Sequence, residues 1–451
     1  MIFSSLEFLF IFLPLFLGVY YIAPAAHRNW PLVIGSLLFY SYGVWTQPWA
    51  IVLFIALICL GYLAGRLIGR LEKHRRLALA AFLVLLFGGL LSFKYSGLLL
   101  ENHIALPLGI SFYSFQLAAY AVDVYRAKVP AEKSFLDFFA ALSLFPKLIS
   151  GPIAPYESLS RQVRERTFAW QRFDYGLRDF VLGLGMKVLL ADQIGRIWKQ
   201  VESIGFESIS TPLAWLGLIS FALQLYYDFY GYSLMAIGLG RMIGFRLPKN
   251  FVTPYASRSV AEFWRRWHIT LGKWFLDYVY IPLGGNKKGR LRELRNLLVV
   301  WVLTGIWHGS TINFLLWGLY IFVLLAIEKL WLGKYLEDSG PFAHIYLVFV
   351  ILLSWVFFAI PELSNILLYF GRLFPFAGAV DAGRGADALR LFQMAPAPLL
   401  VGTAIAMPWF MRVWDRIRQG RIGTLILLAI FWFAVYGISA GLNDPFLYFS
   451  F

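Results

Sequence analysis

Long apolar stretches with almost no charged residues recur along the chain and are separated by short basic segments. A bilayer core of about 30 Å needs roughly 20 apolar residues in a helix. The stretches show no alternation with a period of two, and exposed strand edges are not tolerated in lipid, so they predict helices. We therefore expect an all-α polytopic membrane protein with about 10–11 transmembrane helices, plus re-entrant and interfacial helices. The apolar stretches are 8–27, 29–46, 48–65, 77–93, 103–122, 179–198, 208–240, 296–327, 339–361, 391–411 and 422–443.

The composition supports a membrane protein. Of the 451 residues, 60% are hydrophobic and 14% are charged, whereas soluble domains carry about 25% charged residues. A core that could hide this much apolar surface does not exist at this length, which excludes a secreted enzyme, a DNA-binding factor and a soluble Rossmann enzyme. The net charge of +15 indicates cytoplasmic loops that meet anionic lipid headgroups, so the expected partner is the lipid bilayer and not nucleic acid. A polyanionic small molecule is the second interpretation.

Basic segments predict which loops face the cytoplasm. The richest is 241–295, and 412–421 is the last, whereas 200–211 contains acidic residues and no Lys or Arg. This distribution places the N-terminus outside, the basic cytoplasmic or re-entrant segment 241–295 inside and the C-terminus outside. We find no internal repeat and no long linker, so we expect a single membrane domain over 1–451.

The same orientation predicts a broken helix in the stretch 296–327. The two basic segments that flank the region 296–411 both face inward, and the stretches 339–361 and 391–411 already supply two crossings. The stretch 296–327 must therefore return to its starting side or cross twice, and its length is too short for two full spans of roughly 20 residues each. Non-helical backbone at membrane depth survives only inside protein or beside a cavity. We expect the break at Trp307–Ser310.

We single out two ionisable residues that lie deep in apolar stretches, where a functional role is the default expectation. His308 is the first, and the alternative for it is a core histidine with satisfied hydrogen bonds. Asp228 is the second, and it needs a partner such as an arginine, a histidine or hydroxyl groups. Whether Asp228 is structural or catalytic stays open at this point. Tyr227 beside it fits a cavity lining or a packed aromatic core.

His268 lies in FWRRWHITLGKWFLDYVYIPLGGNKKG, which is both aromatic and basic. This stretch predicts either an interfacial helix with snorkelling Arg265, Arg266 and Lys273 or the cytoplasmic floor of an active site. The chain has no H-E-x-x-H, Walker, G-x-S-x-G or Cys–His metal pattern. Its single cysteine, Cys59, excludes an intramolecular disulfide and a multi-thiolate zinc site. We therefore expect no metal.

An ordered series of motifs resembles the membrane-bound O-acyltransferase family, in its alginate O-acetyltransferase branch. The motifs extend over most of the chain, and the match is densest in the last two. In chain order they are FSSLEFLFIFLPLFLGVYY, LPLGISFYSFQ, AVDVYR, LFPKLISGPIAPY, QLYYDFYGYSLMAIGLGRMIGF, FWRRWHITLGKWFLDYVYIPLGGNKKG and LTGIWHGSTINFLLWGLY.

The resemblance implies helices around a central tunnel and acyl transfer from a cytoplasmic thioester to an extracytoplasmic acceptor. It implies that His308, in the W-H-G motif, is the catalytic histidine and His268 the second functional position. We expect His308 to act as general base on a hydroxyl and His268 to position or polarise the thioester carbonyl. The predicted donor-binding residues are Arg265, Arg266, Trp267 and Lys273, and the predicted tunnel residues are Asp228, Trp307 and Tyr227.

The resemblance also implies the setting of the reaction. Acetyl-CoA is the expected donor, with no tightly bound cofactor, and the expected location is a bacterial inner membrane. An extracytoplasmic acetyltransferase partner would receive the acyl group. The C-terminal aromatic tail 446–451 (FLYFSF) resembles endings of related acyl-export systems, which makes Tyr448 a candidate acyl carrier. An aromatic anchor at the outer interface is the alternative for this tail.

Several functions remain compatible with the sequence. The polysaccharide acetylated could be alginate, or the same chemistry could act on peptidoglycan, cellulose or teichoic acid. A transporter or lipid flippase without covalent chemistry would also use intramembrane His and Asp residues. A non-catalytic scaffold for a biosynthetic complex is the third class.

Overall fold

The computed structural model describes residues 2–99, 105–374, 386–442, 444 and 446–447. Within these residues the regular structure is helical throughout and includes no strand. The predicted all-α class is therefore confirmed.

The helices are short where polar or glycine residues interrupt the apolar stretches. In chain order the α-helices are α1 (Leu13–Ile22), α2 (Asn29–Gly43), α3 (Trp49–Arg70), α4 (Arg75–Lys94), α5 (Ser96–Leu99), α6 (Ile110–Tyr125), α7 (Phe135–Ser143), α8 (Phe145–Leu148), α9 (Tyr156–Glu165), α10 (Trp170–Gly185), α11 (Asp192–Ile204), α12 (Thr211–Met242), α13 (Val260–Arg266), α14 (Ile269–Phe275), α15 (Arg290–His308), α16 (Ile312–Ile327), α17 (Gly333–Asp338), α18 (Pro341–Ala359), α19 (Leu363–Leu373), α20 (Ala386–Phe392), α21 (Pro396–Ile405), α22 (Pro408–Ile417) and α23 (Arg421–Ser439). Turns of π-helix occupy Phe8–Phe12, Met186–Ala191, Leu276–Tyr280 and Glu328–Leu332, and 3₁₀ turns occupy Ala25–His27 and Pro254–Ala256.

Five helical segments within the described residues are long and apolar enough to cross a bilayer. They are Trp49–Arg70, Arg75–Lys94, Ile312–Asp338, Pro341–Ala359 and Arg421–Ser439. A sixth candidate is the pair α20 and α21, which is bent by 77°. The protein is therefore a multi-pass membrane protein, while the total of 10–11 crossings stays a prediction.

The chain divides into two compact units. Unit 1 contains Met1–Val181 and Tyr232–Lys249, and unit 2 contains Leu182–Gly231 and Asn250–Phe451. The core of unit 1 is aromatic: the Phe3 ring lies 5.1 Å from that of Phe8 and 4.8 Å from that of Tyr232. Such contacts stabilise a core by burying large apolar side chains.

Unit 2 contains the expected break. Helix α15 ends at His308, Gly309 is extended, and α16 begins at Ile312. The two helices pack antiparallel at two glycines, because a Cβ on Gly318 would lie 2.4 Å from the Trp301 carbonyl oxygen and one on Gly305 would lie 2.6 Å from that of Phe314. Small residues allow this close approach. The position of the break is confirmed.

The length predicted for the second half of this hairpin was wrong. The apolar stretch ends before Glu328, but the helix continues through a π turn to Asp338. Glu328 is 6% exposed and accepts hydrogen bonds from the main-chain N–H groups of Val260 (2.6 Å) and Ala261 (3.1 Å). The Glu328 carboxylate satisfies two main-chain N–H groups at the start of α13, which offsets the cost of burying its charge. The helix that begins at Ile312 therefore extends past Glu328, although the charge alone predicted that it ends there.

Candidate active site

A cavity of about 620 Å³ in unit 2 is lined by both candidate histidines. It lies among α12–α16 and α18, and its walls are mostly apolar and rich in tryptophan. The lining tryptophans are Trp264, Trp267, Trp301, Trp317 and Trp355, and polar or charged lining groups include Arg265, Lys273, Tyr280 and Thr304. A concave apolar site with a few convergent polar groups is the ordinary form of a small-molecule pocket.

His268 is held at a sharp turn between α13 and α14. Helix α13 begins at a Ser259 cap, whose hydroxyl accepts from the Glu262 N–H at 3.1 Å. The helix ends at Arg266, and His268 then adopts a left-handed conformation with φ 43°. A non-glycine residue in this region is strained and is often found at functional sites. The turn places the imidazole at the cavity wall with 3% exposure.

The Asn250 side chain fixes the orientation and the tautomer of His268. The Thr270 N–H donates to Asn250 Oδ1 at 3.2 Å, so this atom is an acceptor. His268 Nδ1 lies 3.0 Å from the same oxygen and therefore carries the proton. Burial lowers the pKa of His268 to about 3, so the ring is neutral. Its Nε2 is then an acceptor, and it has no hydrogen-bond partner among the described residues.

His308 occupies the last position of α15 and is 7% exposed. Its ring centroid lies 4.9 Å from that of Trp317 and 5.2 Å from that of Phe358, both nearly perpendicular to it. The Trp307 ring centroid lies 4.6 Å from that of His308 and 6.5 Å from that of His268. The structure therefore brings together two histidines that are 40 positions apart in the sequence.

The predicted donor-binding residues separate into two groups. Arg265, Trp267 and Lys273 line the cavity. The two cations are exposed, and neither forms a salt bridge within 4 Å of a described carboxylate, although the charge of Arg265 also acts on the buried Glu328. Arg266 does not line the cavity, and its guanidinium lies 2.5 Å from a Glu262 carboxylate oxygen. Arg265 and Lys273 are thus available to an anionic ligand, whereas Arg266 already has a partner.

The predicted tunnel residues lie outside the cavity lining. Tyr227 is buried and its hydroxyl donates to the Gly402 carbonyl. Trp307 does not line the cavity, but its ring lies close to both histidine rings. The expected partner of Asp228 was an arginine, a histidine or hydroxyl groups, and this prediction was wrong. Asp228 instead pairs with Lys187 at 2.8 Å and accepts a hydrogen bond from the Leu447 N–H at 2.6 Å.

Two residues of this region, Asn250 and Lys187, were missed by the sequence analysis, and a third, Tyr448, lies outside the described residues. Asn250 was not predicted, although an amide between Lys249 and Phe251, shortly before the basic–aromatic stretch, was an available signal. Lys187 was also missed, and the available signal was a charged residue inside the predicted span 179–198. Tyr448 lies outside the described residues, and of the tail 446–451 only Phe446 and Leu447 are described.

The arrangement suits acid–base chemistry on a ligand that has an anionic end. The Nε2 atom of His268 can accept a hydrogen bond in an apolar wall, and the second imidazole, His308, also lies near Trp307. Removal of water from such a site strengthens each polar interaction. The two unpaired cations provide electrostatic attraction for phosphate groups.

Comparison with known proteins gives a consistent result. The family model described as membrane-bound O-acyltransferase matches residues 112–370. The chain is 38% identical over 383 residues to "Probable alginate O-acetylase AlgI" of Pseudomonas fluorescens. This alignment covers 83% of the chain and 76% of that protein. It is 32% identical over 422 residues to "Peptidoglycan O-acetyltransferase" of Helicobacter pylori, with 81% and 78% covered. It is 30% identical over 250 residues to "Teichoic acid D-alanyltransferase" of Bacillus subtilis, with 51% and 61% covered.

Proposed function

The chain belongs to the membrane-bound O-acyltransferase family, and on this premise we propose that it moves an acetyl group from cytoplasmic acetyl-CoA across the membrane for O-acetylation of an extracytoplasmic polysaccharide. It is an O-acyltransferase. The observation that carries the specific proposal is one cavity lined by His268, His308 and two unpaired cations. Alginate is the proposed polysaccharide because the relatives named for it are 36–38% identical over 83% of the chain.

The reaction requires a proton acceptor for the attacking hydroxyl. We assign this role to His308, which takes the hydroxyl proton as the O–C bond to the acyl group forms. The C–S bond of the thioester breaks, and the departing thiolate receives the proton. General base catalysis of this kind contributes roughly 10²–10⁴ in rate. The aromatic rings around His308 exclude water that would hydrolyse the thioester.

Of the two roles expected for His268, to position or to polarise the thioester carbonyl, we propose that it positions the donor. A neutral imidazole protonated on Nδ1 cannot donate from Nε2, so it cannot polarise the thioester carbonyl through that atom. Nε2 can accept a hydrogen bond from an amide N–H of the pantetheine arm of the donor. We therefore propose that His268 positions acetyl-CoA by accepting, with Asn250 holding the ring in the required orientation.

Asn250→Leu should raise the KM for acetyl-CoA by about 10-fold, because a buried His268 N–H would lose its acceptor and the ring would no longer be fixed. Asn250→Asp retains an acceptor oxygen and should restore part of the affinity. The measurement is the acetyl-CoA concentration dependence of acetyl transfer by purified, folded variants. An unchanged KM in Asn250→Leu would show that the orientation of His268 does not matter for donor binding.

Arg265→Gln should raise the KM for acetyl-CoA by about fivefold, since an exposed charge contact contributes up to about 1 kcal/mol. Arg266→Gln is the matched control, because its guanidinium pairs with Glu262 and does not line the cavity. The difference between the variants should decrease in high salt, where exposed charges are screened over about 3 Å. Equal effects of both substitutions would show that these arginines act on the membrane surface and not on the donor.

The direct test of the function is mass spectrometry of the polysaccharide and of the protein after incubation of membranes with labelled acetyl-CoA. Labelled O-acetyl groups on alginate support the proposal. Label on peptidoglycan and not on alginate would transfer the assignment to the second relative's substrate. Movement of a substrate without any ester formed would instead support a transporter.

Three further parts of the proposal concern the cellular setting. We place the protein in a bacterial inner membrane with both termini outside, as the basic loops predict. An extracytoplasmic partner would receive the acetyl group and complete transfer to the polymer. Tyr448 remains our candidate for an acyl carrier on the outer side, and a normally acetylated polymer in a Tyr448→Phe strain would exclude that role.

A further inference from the structure

Three charged side chains are buried together in unit 2, outside the cavity lining. Lys187 Nζ lies 2.5 Å from Asp192 Oδ1 and 2.8 Å from Asp228 Oδ1. The residues are 3%, 2% and 1% exposed, respectively. Burying charges in a membrane protein costs free energy, so a structural or functional role is the default expectation for such residues. The acyl-transfer chemistry assigned above does not use them.

The cluster holds more carboxylates than cations, and one carboxylate has an additional donor. Asp228 Oδ2 accepts a hydrogen bond from the main-chain N–H of Leu447 at 2.6 Å. Asp192 Oδ2 has no hydrogen-bond partner among the described residues. A hydrogen bond to an ionised carboxylate is roughly twice as strong as one between neutral groups. Of the two carboxylates, only Asp228 has a hydrogen bond to the described C-terminal segment, whereas Asp192 interacts with Asp444 through charge alone.

Two more contacts hold the same segment. Asp444 Oδ1 lies 2.6 Å from Lys199 Nζ. Phe446 is 2% exposed, and its ring centroid lies 5.9 Å from that of Phe229. The Phe229 ring in turn lies 4.7 Å from the His268 ring, at an interplanar angle of 83°. The segment therefore supports one side of His268 through a single intervening ring.

We infer that Asp228, balanced by Lys187, is a positioning residue that docks the chain's own C-terminal segment and thereby keeps His268 in place. The docked segment is defined by Asp444, Phe446 and Leu447. When Asp228 releases Leu447, Phe446 loses its anchor, and Phe229 and His268 gain freedom to move. The consequence for catalysis rests on the proposed function, whereas the docking itself does not.

The test is hydrogen–deuterium exchange of the full-length protein in detergent, read in the peptide that contains Leu447. Asp228→Leu removes the acceptor and should accelerate exchange of this amide by about 10- to 100-fold. Asp192→Leu is the matched control. Each substitution leaves one Lys–Asp pair intact, but only Asp228→Leu removes a hydrogen bond to the C-terminal segment. Exchange in Asp192→Leu should stay within about twofold of the parent protein.

Equal acceleration in both variants would overturn the inference, because the cluster would then only support the fold. No acceleration in Asp228→Leu would also overturn it. If Asp228→Leu does not fold, Leu447→Pro and Leu447→Ala provide a second pair. Proline lacks the N–H that Asp228 accepts, so exchange in the remaining amides of the segment should accelerate in Leu447→Pro and not in Leu447→Ala. Equal exchange in this pair would contradict the inference.

Acetyl transfer is measured on the same preparations. Asp228→Leu should lower the rate of acetyl transfer by at least about 10-fold, because even a small displacement of His268 would misplace the donor. The two proposals fail in distinguishable ways. If the parent protein transfers no acetyl group, the proposed function fails while the exchange result still stands. If exchange accelerates and the rate is unchanged, docking is real but does not position His268, which overturns that part of the inference.

Discussion

His308→Ala is expected to lower the rate of acetyl transfer by at least about 10²–10⁴, the usual contribution of a general base. The imidazole lies at the cavity wall beside the Trp317 and Phe358 rings. The substitution leaves no group at this position that can accept the hydroxyl proton. His308→Gln should be impaired to a similar degree, because an amide retains polarity and size but takes up no proton at neutral pH.

The control for this prediction is another histidine of unit 2. His344 Nδ1 donates to the Ser257 carbonyl oxygen at 2.8 Å, and the residue does not line the cavity. His344→Asn retains a donor at the equivalent position and should keep a rate close to that of the parent protein. Thermal stability is measured for each variant, since removal of the His308 ring also opens space in an aromatic cluster. A folded His308→Ala protein with near-parental acetyl transfer would contradict the assignment and leave His268 as the remaining candidate for the base.

Sequence patterns predicted the features that depend on solvent preference along the chain. The long apolar stretches predicted helices, and the count of crossings predicted a break near His308, which the structure has at Gly309. The end of the helix that begins at Ile312 was not predictable from charge. Glu328 is buried there because it accepts hydrogen bonds from the N-terminus of α13, which lies almost 70 positions earlier in the chain. A charged residue marks the end of a buried helix only when nothing in the fold can satisfy it.

Sequence patterns did not predict the features that depend on the direction in which a side chain points. Arg265 and Arg266 are neighbours in sequence, but successive side chains on a helix point about 100° apart, so only one of them faces the cavity. The contact between Asn250 and His268 crosses 18 positions of partly irregular chain. No periodicity relates such residues. The tautomer of His268 follows from that contact, and it favours positioning of the donor over polarisation of the thioester carbonyl.

Gly318→Ala is expected to disrupt the active site from within the hairpin of α15 and α16. The added Cβ would lie 2.4 Å from the Trp301 carbonyl oxygen, and a backbone oxygen in a helix moves only if the helix moves. Overpacking of this kind costs about 1–3 kcal/mol of folding free energy. Displacement of α15 would carry Trp301, Thr304 and His308 with it, and all three line the cavity. We therefore expect a lower Tm together with a loss of about 10²-fold in acetyl transfer, the cost of misplacing a reacting group by about 1 Å.

Gly371→Ala in α19 separates this local effect from the general effect of removing a helical glycine. A Cβ at Gly371 would meet no other atom within 4 Å. An alanine there should leave the rate unchanged and should stabilise the helix by roughly 0.5–1 kcal/mol. Gly305→Ala provides a second test on the facing helix, since its Cβ would lie 2.6 Å from the Phe314 carbonyl oxygen. Both hairpin variants should lose activity while Gly371→Ala does not. If Gly318→Ala and Gly305→Ala retain the Tm and the rate of the parent protein, then close approach of α15 and α16 is not what holds His308 in the cavity wall.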